Sequence, residues 1–214
     1  MNRNKFTATV LVVAFCVLTV WGLKALSRAP IGKMDLDKRA LLRAKGSPGA
    51  PLWIVEYLDF QCAGCKMISQ LVDEYLEKYP SAVYVQTRFY PLTSHTYGLR
   101  TALYAECAAR QGKFWPLHDL LFEHQAEWSV LGDAEGAFRG YARQAGLNMA
   151  KLDTCLKDPG VEKAVLEEKE AAAALGVHVT PTFFMNGRIV VGPTEIKRAL
   201  EVHFSKENVA GEKQ

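Results

Sequence analysis

The order of hydrophobic and polar residues changes character along the chain, and each change marks an element. From Phe6 to Leu23 the sequence is uncharged and almost continuously apolar, FTATVLVVAFCVLTVWGL. As a helix at ~1.5 Å per residue these 18 positions reach ~27 Å, close to the ~30 Å bilayer core. The run lacks the polar face of a buried core helix and predicts an N-terminal transmembrane helix. Arg3 and Lys5 precede it and Lys24, Arg28 and Lys33 follow, so the positive-inside bias is weak. Ala25-Leu26-Ser27 offers a small-x-small cleavage site. Residues 1–23 are therefore read as a membrane anchor, with a cleaved signal sequence as the alternative. Residues 24–50 mix charges with Pro30, Gly32, Gly46, Pro48 and Gly49 and are expected to be a tether, with a short helix over Lys38–Lys45.

Beyond Pro51 the pattern is that of a folded domain, taken as 51–206. Leu52–Asp59 (LWIVEYLD) is β-rich and apolar, as a buried strand is. Met67, Ile68, Leu71, Val72, Tyr75, Leu76 and Tyr79 recur at helical spacing until Pro80 stops them. Ala82–Tyr90 (AVYVQTRFY) predicts a second strand, parallel to the first through a right-handed crossover. Helical periodicity then dominates from about residue 95 to 178, punctuated by Gly112, Gly132-Asp133, Gly146-Leu147-Asn148 and Asp158-Pro159-Gly160. Thr182–Met185 and Arg188–Val191 read as a hairpin about Asn186-Gly187. Gly192-Pro193-Thr194 leads into a last helix, Glu195–Phe204, and residues 207–214 form a polar tail. The order is β-α-β, helical block, β-β-α, which gives an α/β fold with one small mixed sheet and an all-helical insertion.

Composition narrows the function classes. Apolar residues make up 49% and charged residues 23%, as in ordinary globular domains. The net charge of +3 belongs to the N-terminal tip. Without Arg3, Lys5, Lys24 and Arg28 the chain keeps 22 basic residues against 23 acidic ones, a net −1 that argues against nucleic-acid binding.

The chemistry sits at Cys62-Ala63-Gly64-Cys65, after the first strand and at the opening of the helix. Free amides and the positive end of a helix stabilise a thiolate, so the Cys62 thiol is expected below the ordinary ~8.5. Lys66 adds a nearby positive charge. Two intervening residues place Cys65 within disulfide reach. A zinc site would need two further ligands, and the remaining cysteines are isolated with no HxxxH, so no metal is expected. A purely structural bridge across so short a loop would stabilise little. The motif is read as a redox pair.

Three segments carry a resemblance: Asp59-Phe60-Gln61-Cys62-Ala63-Gly64-Cys65, Gly112-Lys113-Phe114-Trp115-Pro116-Leu117-His118 and Val179-Thr180-Pro181-Thr182-Phe183. With the order of elements, they resemble the DsbA-like class of thioredoxin-fold thiol:disulfide oxidoreductases over roughly Pro51–Phe204. The resemblance implies a cis Pro181 beside the sulfurs, with Thr180 and Pro181 binding extended, cysteine-containing polypeptide. It also implies that Glu56, six residues before Cys62, moves the proton of Cys65. A Glu56 paired with Arg88 on the neighbouring strand is the alternative, and both can hold together. The most oxidising relatives carry Pro-His where this chain has Ala63-Gly64, which implies a milder oxidant.

The implied activity is disulfide exchange on the outer, periplasmic side of the membrane, assisting disulfide formation. It needs no cofactor beyond a Cys62–Cys65 disulfide, and a membrane or soluble redox partner resets the site. A monomer is expected, because the tether supplies no dimerisation domain. Reduction or isomerisation by the same fold, and a peptide-binding chaperone without redox chemistry, are the competing readings. Cys107 and Cys155 both fall in the helical block. Outside the cytoplasm such leftover thiols pair, and a bridge over about 49 residues stabilises by roughly 4 kcal/mol in the chain-entropy model. Two reduced core cysteines are the alternative. His118 is expected to pack within the insertion, and His95, His124, His178 and His203 to be structural or surface residues.

Overall fold

The computed structural model describes residues 41–211, with side chains to residue 205. The apolar run at 6–23 and most of the expected tether lie outside the described residues. Among the described residues, no helix is long and apolar enough to cross a membrane.

A five-stranded sheet forms the centre, in the order β1 (Ala44–Gly46), β3 (Val83–Phe89), β2 (Leu52–Leu58), β4 (Thr182–Met185), β5 (Arg188–Val191). Its middle strand β2 (Leu52–Leu58) is apolar except for Glu56 and nearly all buried, as a strand covered on both faces must be. β3 (Val83–Phe89) runs parallel to β2, from Leu52 opposite Val83 to Leu58 opposite Phe89. The crossover between them is α1 (Ala63–Lys78). β4 (Thr182–Met185) lies antiparallel on the other side of β2, and β5 (Arg188–Val191) closes that edge. The β4–β5 turn needs positive φ at both central residues, and Asn186 (φ 47°) with Gly187 (φ 81°) supplies it.

Two clusters of buried side chains hold these layers. On one face Leu52, Ile54, Val83 and Val85 meet Ile68, Val72 and Leu76 of α1 and Ile196, Leu200 and Phe204 of α8 (Pro193–Gly211). The second cluster fills the helical insertion and reaches back to Leu58, Phe60, Cys65 and Phe89. The insertion comprises α2 (Gly98–Ala109), α3 (Phe114–Glu123), α4 (Gln125–Trp128), α5 (Glu135–Gln144), α6 (Met149–Lys157) and α7 (Pro159–Ala174). Cys107 of α2 and Cys155 of α6 are joined by a disulfide, with their Cα atoms 5.8 Å apart.

The domain begins earlier than Pro51. Ala44–Gly46 is the edge strand β1, antiparallel to β3, where a tether and a short helix over Lys38–Lys45 were expected. Its AKG sequence has no alternation to betray a strand; its partners hold it. Arg43 is buried, forks onto Glu168 of α7 at 2.8 and 3.0 Å, and stacks over the Phe89 ring at 4.3 Å. The Trp115 indole donates to the Ala44 carbonyl at 3.0 Å. At the other end α8 starts at Pro193 and runs to Gly211, longer than Glu195–Phe204 and into the expected tail.

Candidate redox site

β2 ends at Leu58 and the chain must turn sharply to enter α1. The buried Asp59 carboxylate organises that turn. Its Oδ1 accepts from the Gln61 amide and its Oδ2 from the Leu92 amide, both at 2.7 Å, and His95 Nδ1 lies 2.9 Å from Oδ2. Gly98 opposes it without a side chain, since a Cβ there would stand 2.6 Å from Asp59 Oδ2. The sequence placed Asp59 in the segment that carries the resemblance but assigned it no role of its own. The signal available was an acid two residues before the amide it accepts from, the habit of an Asx turn.

Cys62 is the N-cap of α1, with extended backbone (φ −77°, ψ 117°) and a half-buried side chain, while Cys65 one turn later is fully buried. Both are free thiols. The Thr180–Pro181 peptide bond is cis, and it abuts the motif. Cys62 Sγ donates to the Thr180 carbonyl at 3.3 Å. The Thr180 hydroxyl is buried without a hydrogen-bond partner. Gly64 is wedged between two prolines: a Cβ would lie 3.1 Å from Pro181 Cδ and 3.0 Å from Pro193 Cγ.

The two thiols are driven apart in acidity. Cys62 is lowered from 9.0 to about 6, chiefly because the Cys65 thiol donates to its sulfur; burial opposes this, and Thr180 and the Cys65 and Gly64 amides add to it. Cys65 is pushed well above the ordinary value, first by burial, then by its role as donor to Cys62 and by the Cys62 charge. A thiolate facing solvent in front of a buried thiol is the arrangement an attacking and a resolving sulfur require. Lys66, expected to support the thiolate, instead donates to the Glu123 carbonyl at 3.1 Å.

Glu56 lies in β2 between Thr87 and Phe183, buried, with Oε1 unpartnered. Burial raises it from 4.5 to about 8, Asp73 adds to the rise, and the neighbouring Thr87 hydroxyl opposes it. Its charge in turn raises Cys65, so the two groups share one electrostatic environment. The alternative pairing with Arg88 does not form. Arg88 stands opposite Tyr57, on the other face of the sheet, and binds Glu168 at 3.0 Å.

The Cys107–Cys155 disulfide belongs to the insertion. His118 is buried among Phe60, Phe114, Trp115 and Phe122 and lies 2.8 Å from Asp119 Oδ1. No group of three His, Cys, Asp or Glu side chains able to hold a metal occurs among the described residues.

A cysteine pair opening the first helix beside a cis-proline, on this sheet and with a helical insertion, is a thioredoxin-fold arrangement. The chain belongs to the thioredoxin family: the family model described as Thioredoxin matches residues 42–202. Among solved structures, a variant of Wolbachia pipientis alpha-DsbA1 is similar, with TM-score 0.64, 21% identity and coverage of 75% of this chain and 87% of that one. Oxidised BdbD from Bacillus subtilis matches with TM-score 0.63 and 21% identity, over 74% and 90% of the two chains. A curated relative, Na(+)/H(+) antiporter NhaA 3 of Salinispora tropica, is 39% identical over 154 residues. The match takes in 72% of this chain and 23% of that protein, so the chain spans about a quarter of the relative's length.

Proposed function

We propose that this chain is a membrane-anchored, extracytoplasmic thiol:disulfide oxidoreductase. It exchanges disulfides with extended, cysteine-containing polypeptides through Cys62 and Cys65 and assists disulfide formation. The observation that carries the reading is the Cys62 sulfur, an activated N-cap thiol, directed at the Thr180 carbonyl of the cis Thr180–Pro181 bond with Cys65 buried behind it. The anchor rests on the apolar run at 6–23, with a cleaved signal as the alternative. The outer location rests on that run and on a second cysteine pair joined as a disulfide, which cytosolic conditions disfavour.

In the oxidising direction, a substrate thiolate attacks Cys62 Sγ of the Cys62–Cys65 disulfide. The Cys62–substrate bond forms, the bond to Cys65 breaks, and Cys65 leaves with the electron pair and takes a proton from Glu56. A second substrate thiolate then attacks the substrate sulfur of the mixed disulfide and expels Cys62 as its stabilised thiolate. Two electrons pass from the substrate dithiol to the cysteine pair, and no cofactor enters. Thr180 and Pro181 hold the substrate backbone beside the sulfurs, and a separate redox partner reoxidises the dithiol. The chain acts as a monomer.

Cys65→Ser is expected to accumulate mixed disulfides with reduced, unfolded substrate, and Cys62→Ser to lose exchange. Full exchange by Cys62→Ser ends the proposal. Substrate binding unchanged in the double Cys62→Ser, Cys65→Ser variant, with no exchange by the wild type, would favour a chaperone.

A further inference from the structure

The turn that presents Cys62 is held from the insertion side. Phe60 is fully buried, its ring enclosed by Phe89, His118 and Phe122. The Gln61 side-chain oxygen accepts from the Tyr97 amide at 2.7 Å. Gln125, at the first position of α4 and itself buried, completes the arrangement. Its Nε2 donates to the Phe60 carbonyl at 2.6 Å and to the Cys62 carbonyl at 3.0 Å. One amide group thus bridges the Phe60–Gln61 and Cys62–Ala63 peptide units.

The Cys62 carbonyl also accepts the Cys65 and Lys66 amides that begin α1, at 3.0 and 3.3 Å. Its direction therefore fixes how Cys62 sits as an N-cap, and hence whether the Gly64 and Cys65 amides point at the sulfur. A disulfide would hold Cys62 in place covalently. In the dithiol only non-covalent contacts do so; Gln125 supplies one to Cys62 itself and a second to Phe60, two residues before it. From this geometry we infer that Gln125 is a positioning residue for the redox pair, one that favours the reduced, thiolate form by orienting the Cys62 peptide. Buried carbonyls need donors in any fold, so the inference turns on the difference between oxidised and reduced protein. A purely structural amide would support both forms equally.

This inference rests on the proposed exchange chemistry, and the full chain tests both. The wild type, Gln125→Met, Gln125→Asn and Trp128→Phe are compared. Met removes the donors at similar length, and Asn keeps the amide one methylene too short to span both carbonyls. Trp128 is the control: it is fully buried in the same short helix, but its indole donates to Leu121 and not to the redox turn. Two quantities are read. The first is the Cys62 pKa, from thiolate absorbance. The second is the equilibrium in which the protein disulfide and two glutathione thiols give the protein dithiol and glutathione disulfide.

Both Gln125 variants are expected to raise the Cys62 pKa by about half to one unit and to shift the equilibrium roughly threefold to tenfold towards the protein disulfide. Trp128→Phe is expected to lower the melting temperature and leave both readings in place. If either folded Gln125 variant keeps the wild-type pKa and equilibrium while melting lower, the amide is structural and the inference falls. The same holds if Trp128→Phe moves both readings as far. A wild type that does not exchange with glutathione at all overturns the proposed function itself, a result separable from the others.

Discussion

Cys62 and Cys65 lie one helical turn apart and share a hydrogen bond, yet their thiols move in opposite directions. The donor role of Cys65 lowers Cys62 to about 6, and the same bond together with full burial raises Cys65. In the reduced protein, alkylation of Cys62 is therefore expected to reach half its limiting rate near pH 6. Cys65 should remain unmodified through neutral pH. Mass spectrometry after brief alkylation at stepped pH checks this, and a Cys62 midpoint near the ordinary ~8.5 would contradict it.

The reduction potential follows from the same thiolate. A Cys62 value of about 6 lies between the ~7 of thioredoxin and the ~3.5 of DsbA. Stabilising the thiolate stabilises the reduced protein and makes the disulfide more oxidising. The expected potential accordingly falls between about −270 and about −120 mV. A glutathione redox titration measures it; a value at or below the thioredoxin end would assign the site to reduction.

Glu56 makes stability depend on pH. In the folded protein it keeps its proton up to about 8, while an unfolded chain releases it near 4.5. Between those values the native state binds more protons, so stability falls as pH rises. Glu56→Gln is expected to remove this slope and to be more stable than wild type at pH 8 by a few kcal/mol, at about 1.4 kcal/mol per unit. Urea unfolding of the reduced proteins at stepped pH reads the difference. The variant should also release Cys62 from mixed disulfides more slowly, because Cys65 has lost its proton acceptor.

Arg43 ties the first strand to the last helix of the insertion through Glu168, which also binds Arg88 and the Phe89 amide. Arg43→Ala leaves the largely buried Glu168 carboxylate with Arg88 and the Phe89 amide alone and is expected to cost about 2–3 kcal/mol. Arg43→Lys keeps the charge and loses the fork, and should fall in between. Chemical denaturation checks the order.

Loss of the second cysteine pair, by Cys107→Ala with Cys155→Ala, should cost about 2–5 kcal/mol through the entropy of a loop of this length. The bridge crosses 48 positions and joins α2 to α6. Thermal unfolding with and without reductant reads it, since the wild type should approach the variant once reduced.

The legible parts of the fold were those whose signal is local. Asn186-Gly187 between two short apolar runs located β4 and β5, because few residue pairs accept positive φ twice. The apolar run of β2 reported burial on both faces, and the helical insertion expected at about 95–178 spans Gly98–Ala174. What stayed hidden depends on partners remote in sequence. β1 is a strand because Glu168, Phe89 and Trp115 hold its backbone and the adjoining Arg43. Arg88 is a poor partner for Glu56 because strand alternation sends it to the opposite face, which the register with Tyr57 reveals. Cys62 and Cys65 were conspicuous from spacing, whereas Gln125 lies 63 positions from the carbonyl it holds and carries no motif.

The wedge around Gly64 bears on how this redox centre can vary. With Pro181 on one side and Pro193 on the other, the second position between the cysteines has little room for a side chain, whereas Ala63 beside it is exposed. Descendants of this sequence can therefore diversify at Ala63 one substitution at a time. Any side chain at 64 needs the Pro181 and Pro193 rings to give by a few tenths of an ångström, so variation there is coupled to the two prolines in a way that variation at Ala63 is not.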